Sequence, residues 1–330
     1  MRLLVLGGTG FVGRAVADEA LARGYQVTVF NRGRNPAPAG VTALVGDRLA
    51  ADGLAALDAG GWDAVVDTWS GDPAAVRSAA GSLKGRAGHY TYVSSRSVYA
   101  EGSPSPLTEL SPVVEPDTEF AYAAQKRGGE IAAEQGFDGP VLLGRAGLIL
   151  GPYEDVGRLP WWLNRLHRGG ATLAPGPRDL PLQYVDARDL AGFLLDAAGR
   201  GLAGAYNLVS ESGHATMGEL LDTANEVTGG NAELRWTDPR VILNAGVEPW
   251  TDLPIWLPPG PDHEHLHYAE VTKARAAGLV CRPVRETVAD TWAWLLSIGR
   301  TPPQRADRPT VGLDPAVEAA LLASHQTNKI

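Results

Sequence analysis

Three patterns in this chain of 330 residues have the types and spacing to do chemistry. Tyr122 and Lys126, in AYAAQKRGGE, stand at i and i+4, so a helix puts them on one face. A nearby ammonium favours phenolate over phenol, which suits a proton donor to a developing alkoxide. Ser95, in YVSSRSVY, closes an expected strand and is placed to hold a substrate oxygen. The second pattern is GGTGFVG, in which Gly7, Gly10 and Gly13 are spaced G-x-x-G-x-x-G between a strand and a helix. Glycine torsions make such a turn, its backbone can approach a pyrophosphate, and Phe11, Val12 and Gly13 offer helix N-terminal N–H groups to the charge. The third is HEHLH at residues 263 to 267, which satisfies H-E-x-x-H. On a helix its first and last His share a face and the Glu can activate a metal-bound water.

The end of the second expected strand reads FNRGR. An acid there would accept a ribose hydroxyl; Asn31, Arg32 and Arg34 instead suit a 2′-phosphate, because guanidinium grips phosphate by charged hydrogen bonds where carboxylate repels it. The expected cofactor is therefore NADP(H) rather than NAD(H), the plain alternative being two solvated arginines in a turn. Asp47, in GDR after the third strand, is expected to accept from the adenine amino group.

These groups need elements to hold them. Short apolar runs at Arg2 to Leu6, Gln26 to Phe30, Thr42 to Val45, Ala64 to Asp67, Tyr90 to Val93 and Val141 to Arg145 alternate with amphipathic stretches at Val12 to Ala22, Ala74 to Leu83 and Tyr122 to Glu134. Such alternation predicts a doubly wound α/β fold, a parallel sheet of Rossmann type with helices on both faces. After Gly151-Pro152 the texture becomes rich in Trp and Pro, and Leu182 to Val185 with Asp189 to Ala198 reads as a strand and helix returning to the first region. The expected organisation is a coenzyme-binding domain at 1–150 plus about 182–200. A smaller, discontinuous substrate-binding region follows at 151–181 and 201–300, then a tail at 301–330 ending in a short helix, Ala316 to Ala323.

Bulk properties narrow the classes. A formal charge of −9 and pI near 5.3 offer no basic field for a nucleic-acid backbone. Cys281 is the only cysteine, which excludes an internal disulfide and a cysteine metal cluster. MRLLVLGGTG runs from an apolar strand straight into glycines, without the longer hydrophobic stretch of a signal peptide, and no apolar run reaches the ~20 residues of a spanning helix. A cytoplasmic, membrane-free protein acting on a small molecule is the expectation.

The glycine turn, Ser95, Tyr122 and Lys126, in this order on this architecture, resemble the short-chain dehydrogenase/reductase superfamily, specifically its extended branch of epimerase/dehydratase-like proteins. The resemblance covers Met1 to about Ser297 and includes LQYVDARDLAGFLLDA and GAYNLVS. It implies that Tyr122 is the acid/base, that Lys126 orients the nicotinamide ribose and tunes Tyr122, and that Ser95 polarises a carbonyl. It places Thr68 and Trp69 near the nicotinamide ring. It also suggests a homodimer through helices at 74–87 and 121–135.

Departures from the branch limit the substrate. Dehydratases carry Asp-Glu just after the position of Ser95, where this chain has Arg96-Ser97; sugar-nucleotide epimerases show R-Y-F-N where it has Arg145-Ala146-Gly147-Leu148. Leu148 removes a donor that a diphosphate would need. FNRGR, GVEPW and LPIWLP look instead like bacterial reductases described as isoflavone-reductase-like. Trp69, Trp161, Trp162, Trp236, Trp250 and Trp256 supply flat apolar surface, and Arg96, Arg158 and Arg178 could answer a carboxylate, though ordinary core and solvated surface are the plain alternatives. The expected substrate is a small aromatic or hydrophobic metabolite that receives hydride at a carbonyl or conjugated carbon. The alternatives are a sugar or sugar-nucleotide epimerase and a coenzyme-binding regulatory or RNA-associated protein. In similar reductases the HEHLH stretch forms an extended segment or loop ahead of a short helix; extended, it would set His263, His265 and His267 on one side and Glu264 on the other. No metal site is expected, even with Glu286 as a further candidate ligand.

Overall fold

Seven short apolar strands form one parallel sheet in a computed structural model of the protein, which describes residues 1–117 and 121–327, with side chains to residue 323. The strands are β1 (Arg2–Leu6), β2 (Gln26–Asn31), β3 (Thr42–Val45), β4 (Ala64–Asp67), β5 (Tyr90–Ser95), β6 (Val141–Ala146) and the strand Gly204–Leu208. Their order across the sheet is Gly204–Leu208, β6, β5, β4, β1, β2, β3. Every residue of β4 and β6 is buried, as expected for strands covered on both faces. The register pairs Leu6 with both Phe30 and Asp67, and Ser95 with Ala146, so the glycine turn, Thr68 and Ser95 leave the sheet at the same, carboxyl edge. The strand order reverses between β1 and β4, the place where such sheets open a crevice for ligands.

Helices α1 (Phe11–Ala22), α2 (Pro73–Ser82) and α3 (Ala121–Gly136) cover this sheet. Asp72 caps α2, its carboxylate accepting from the Ala74 N–H at 2.8 Å with Pro73 at the first helical position. α3 packs on α2 and β5. Gly129 makes that approach possible, because a Cβ there would meet the Tyr92 ring at under 3 Å.

The chain divides into two compact units. The first comprises Met1–Gly147, Ala187–Val209 and Ala269–Cys281; the second comprises Leu148–Asp186, Ser210–Tyr268 and Arg282–Ile330. The expected single strand Leu182 to Val185 does not join the large sheet. Pro181–Leu182 pairs antiparallel with Ala215–Thr216, and Tyr184–Asp186 pairs parallel with Leu148–Leu150. Gln183 breaks the run: it is fully buried, its Nε2 donating to Ser210 O at 3.0 Å. Gly204–Leu208 fills the sheet position beside β6.

HEHLH also differs from expectation, for it lies in a helix, Pro261–His267, rather than an extended segment. Pro261 at the first position, Asp262 and Glu264 in the first turn and His265 and His267 in the last suit a helix and its dipole. His263 and His267 therefore do share a face, with ring centroids 4.8 Å apart. Each ring has a backbone partner: His263 Nε2 meets Pro181 O at 2.9 Å, and His267 Nδ1 accepts from the Gln183 N–H at 2.9 Å. Among the described residues no group of three His, Cys, Asp or Glu is arranged to hold a metal.

The second unit has its own apolar core, in which Trp162 and Trp256 are fully buried and donate to Pro254 O and Gly176 O at 2.7 and 3.0 Å. The tail belongs to this core: Leu313 and Leu321 are buried in it, and Arg165 Nε donates to both oxygens of Glu318 at 3.0 and 2.8 Å. Residues 328–330 of the expected tail lie outside the described residues. Among those described, no helix is long and apolar enough to cross a membrane.

Candidate active site

Gly7 has φ +102°, and a Cβ on it would collide with the Thr68 hydroxyl, which donates to Leu6 O at 3.0 Å. A Cβ on Gly13 would strike the backbone of Gly7. Glycine is therefore required at both places for the turn and α1 to close on each other. Gly10 is the N-cap of α1 and brings no capping side chain, so the N–H groups of Phe11, Val12 and Gly13 form a backbone cradle at the positive end of the helix. This arrangement fits the pyrophosphate of a dinucleotide.

At the end of β2, Asn31 Oδ1 accepts from the Gly33 N–H at 2.7 Å, a tight turn that leaves Arg32 and Arg34 exposed. Neither guanidinium pairs with a carboxylate among the described residues. Asp47, half-buried after β3, accepts from the Leu49 N–H at 3.1 Å.

Lys126 is buried in α3, and its Nζ donates to Trp69 O and to Val93 O, both at 2.7 Å. Its ammonium lies 4.9 Å from the centroid of the Tyr92 ring. Tyr122, one turn earlier, is half-buried. It lies close enough to Tyr92 for its charge to count among the causes that push the Tyr92 phenol well up, after burial and Asp67. Ser95 Oγ donates to Ser97 Oγ at 3.1 Å and accepts from the Ser97 N–H, which fixes the turn Arg96–Val98; α3 packs against that turn. Arg96 is 3% exposed, and burial pushes its guanidinium down to about 10 against the opposing charge of Tyr99.

The first unit thus gathers the glycine turn, Thr68, Trp69, Ser95, Arg96, Tyr122 and Lys126 on and beside one sheet edge. Leu148, Arg158, Trp161 and Arg178 lie in the second unit. Leu148 is buried in that unit's core. Arg158 opens the helix Arg158–His167 with its guanidinium 4.8 Å from the Trp250 ring. Trp161 lines an open groove with Val311 and Leu313. Arg178 is exposed and paired with Asp222, 5.6 Å from the Trp236 ring.

Sequence reading missed two buried ion pairs beside the site. Asp67 takes Arg48 at two points, Nη1 and Nη2 each at 2.7 Å. Glu130 takes Arg145 at 2.9 and 3.0 Å, together with Ser94 Oγ at 2.7 Å. Asp67 ends a buried strand and reads as a strand boundary, and Glu130 lies inside a helix, so neither acid signals its partner locally.

The sheet, its glycine turn and its reversed strand order define a doubly wound α/β fold of Rossmann type. The chain belongs to the NAD dependent epimerase/dehydratase family, which it matches over residues 3–85 and 74–208. It is similar to Epimerase family protein SDR39U1 of Homo sapiens, with 48% identity over 59 residues, 18% of this chain and 18% of the human protein. The alignment thus spans less than a fifth of that relative. Among solved structures it is similar to the Bordetella bronchiseptica enzyme WbmG in complex with NAD and UDP, at TM-score 0.69 and 20% identity over 94% of this chain and 99% of that one. The UDP-glucose 4-epimerase of Thermotoga maritima with UDP-glucose gives TM-score 0.69 and 16% identity over 90% and 99%. At these identities the likeness is one of fold.

Proposed function

We propose that the chain is a nicotinamide-coenzyme-dependent enzyme that moves hydride at one carbinol or carbonyl carbon of a small molecule. The observation that carries this reading is Lys126, buried one turn from Tyr122 on α3 and tethered to Trp69 O after β4 and to Val93 O in β5. A coenzyme bound there supplies the hydride donor and acceptor. Tyr122 then exchanges a proton with the substrate oxygen, the Ser95 hydroxyl holds the same oxygen, and Lys126 orients the nicotinamide ribose. A module that only bound coenzyme would not need this trio, which disfavours a regulatory or RNA-associated role.

Family membership, and neighbours described as UDP-sugar epimerases, support an epimerase that oxidises one carbon and reduces it again on the other face. A second reading is kept on specific residues. Arg32 and Arg34 stand exposed where a 2′-phosphate would lie, and Leu148 is apolar core where sugar-nucleotide epimerases carry Asn; both favour an NADP(H)-dependent reductase of the isoflavone-reductase-like branch. Its substrate is then an aromatic or hydrophobic carbonyl compound facing Trp69 and Arg96.

One experiment separates the two. Purified protein is incubated with UDP-sugars and NAD+, and separately with aromatic carbonyl compounds and NADPH. New sugar stereochemistry without net coenzyme reduction supports the epimerase; stoichiometric NADPH oxidation supports the reductase. Neither product from any substrate would count against hydride chemistry. A homodimer through α2 and α3 belongs to the same proposal, and sedimentation mass tests it.

A further inference from the structure

Asp67 closes β4 with no exposed surface, and four donors converge on its carboxylate. Arg48 Nη1 and Nη2 reach Oδ1 and Oδ2 at 2.7 Å each, the Tyr90 hydroxyl donates to Oδ2 at 2.6 Å, and the Trp69 N–H donates to Oδ1 at 3.0 Å. Burial alone would push this carboxyl up, but the charge and hydrogen bonds of Arg48 outweigh it and hold the group below the usual carboxylate range. The side chain therefore folds the chain after β4 back on itself, fixing the Thr68–Trp69 peptide by its N–H.

The carbonyl of that same residue is one of the acceptors of Lys126 Nζ, at 2.7 Å, and it also accepts from the Tyr92 hydroxyl at 3.1 Å. The Trp69 ring is held too. Its Nε1 donates to Asp72 O at 2.9 Å, and the Arg48 guanidinium lies 5.0 Å from its centroid. Arg48 follows Asp47 directly and also donates to Ala75 O at 2.9 Å, at the start of α2. One buried cation thus touches the loop after β3, the end of β4 and the start of α2.

We propose that the Arg48–Asp67 pair is a positioning element for Lys126, acting through the backbone of Trp69, whose N–H meets Asp67 and whose carbonyl meets Lys126. The proposal rests on the role given to Lys126 above, namely orientation of the nicotinamide ribose. Both side chains are buried, Arg48 5% and Asp67 0% exposed, so the effect assigned to them passes through the lysine. A buried pair is weak evidence for stability as such, because desolvation offsets the Coulombic gain.

The test is a double-mutant cycle read by NADPH titration, so it needs no substrate. Asp67→Asn and Lys126→Met should each weaken NADPH binding by about fivefold or more, and the two together should weaken it no further than Lys126→Met alone. Arg48→Lys, which keeps the charge without the two-point grip, should fall between wild type and Arg48→Met. If Asp67→Asn unfolds the protein by stranding the Arg48 charge, Arg48→Met combined with Asp67→Asn removes both charges and takes its place in the cycle. Losses that multiply would give the pair a merely structural role and overturn the proposal, as would unchanged binding in the pair variants while Lys126→Met binds weakly. Wild-type affinity in Lys126→Met would refute the role of the lysine itself, and the proposal with it.

Discussion

Arg145 and Glu130 meet at two points, Nε on Oε1 at 2.9 Å and Nη2 on Oε2 at 3.0 Å, with the carboxylate fully buried. Glu130 lies on α3 two turns beyond Tyr122, and Ser94, the neighbour of Ser95, donates to it at 2.7 Å. The strand that ends in Ser95 is thereby tied to the helix that carries Tyr122 and Lys126. Removing the carboxylate charge leaves Arg145 buried without its partner, so Glu130→Gln should cost about 3 kcal/mol in urea unfolding. A loss under about 1 kcal/mol would mean that the pair contributes little.

Glu154 makes stability depend on pH. Burial pushes its carboxyl up to about 7, against the pull of Arg158 and the two backbone N–H groups it accepts from, those of Arg158 and Leu159 at 2.7 and 3.2 Å. The folded state therefore holds a proton that the unfolded state has released. This contribution is complete below the ordinary glutamate value of about 4.3 and is lost as pH rises through 7. Melting temperatures from pH 5 to pH 8 should fall more for wild type than for Glu154→Gln, and parallel curves would refute the assignment.

Much of this architecture was legible in the sequence. The six expected strands of the sheet appear at their places because parallel strands must be apolar on both faces, and the glycine turn and Tyr122-x-x-x-Lys126 are local patterns that survive folding. Tertiary facts were not legible. Gly204–Leu208 joins the sheet through a partner sixty residues away, Arg48 and Asp67 meet across nineteen, and nothing local announces either. HEHLH was misread although Pro261 and the acids after it marked a helix start; a seven-residue helix carries too little periodicity to override its setting.

Tyr122 supplies the proton in the proposed chemistry. Tyr122→Phe keeps the ring and removes only the hydroxyl, so turnover should fall by about 10²- to 10⁴-fold while coenzyme affinity stays near wild type. Steady-state kinetics with whichever substrate the incubation identifies, alongside a binding titration, measures both. An unchanged rate would remove Tyr122 from the mechanism.

In the proposed NADP(H) reading, Arg32 and Arg34 carry the preference for a phosphorylated coenzyme. Replacing both with Ala should weaken NADPH binding by about tenfold or more and leave NADH nearly unaffected, because only the former loses charge-assisted hydrogen bonds. Equal losses for both coenzymes would mean that the two arginines shape the turn without reading the 2′ position.

The most direct measurement is a calorimetric titration of the purified wild-type protein with NADPH and with NADH. The glycine turn and its backbone cradle predict saturable binding at one site per chain, and Arg32 and Arg34 predict that NADPH binds the tighter of the two. Absence of saturable binding of either coenzyme would contradict the account at its root.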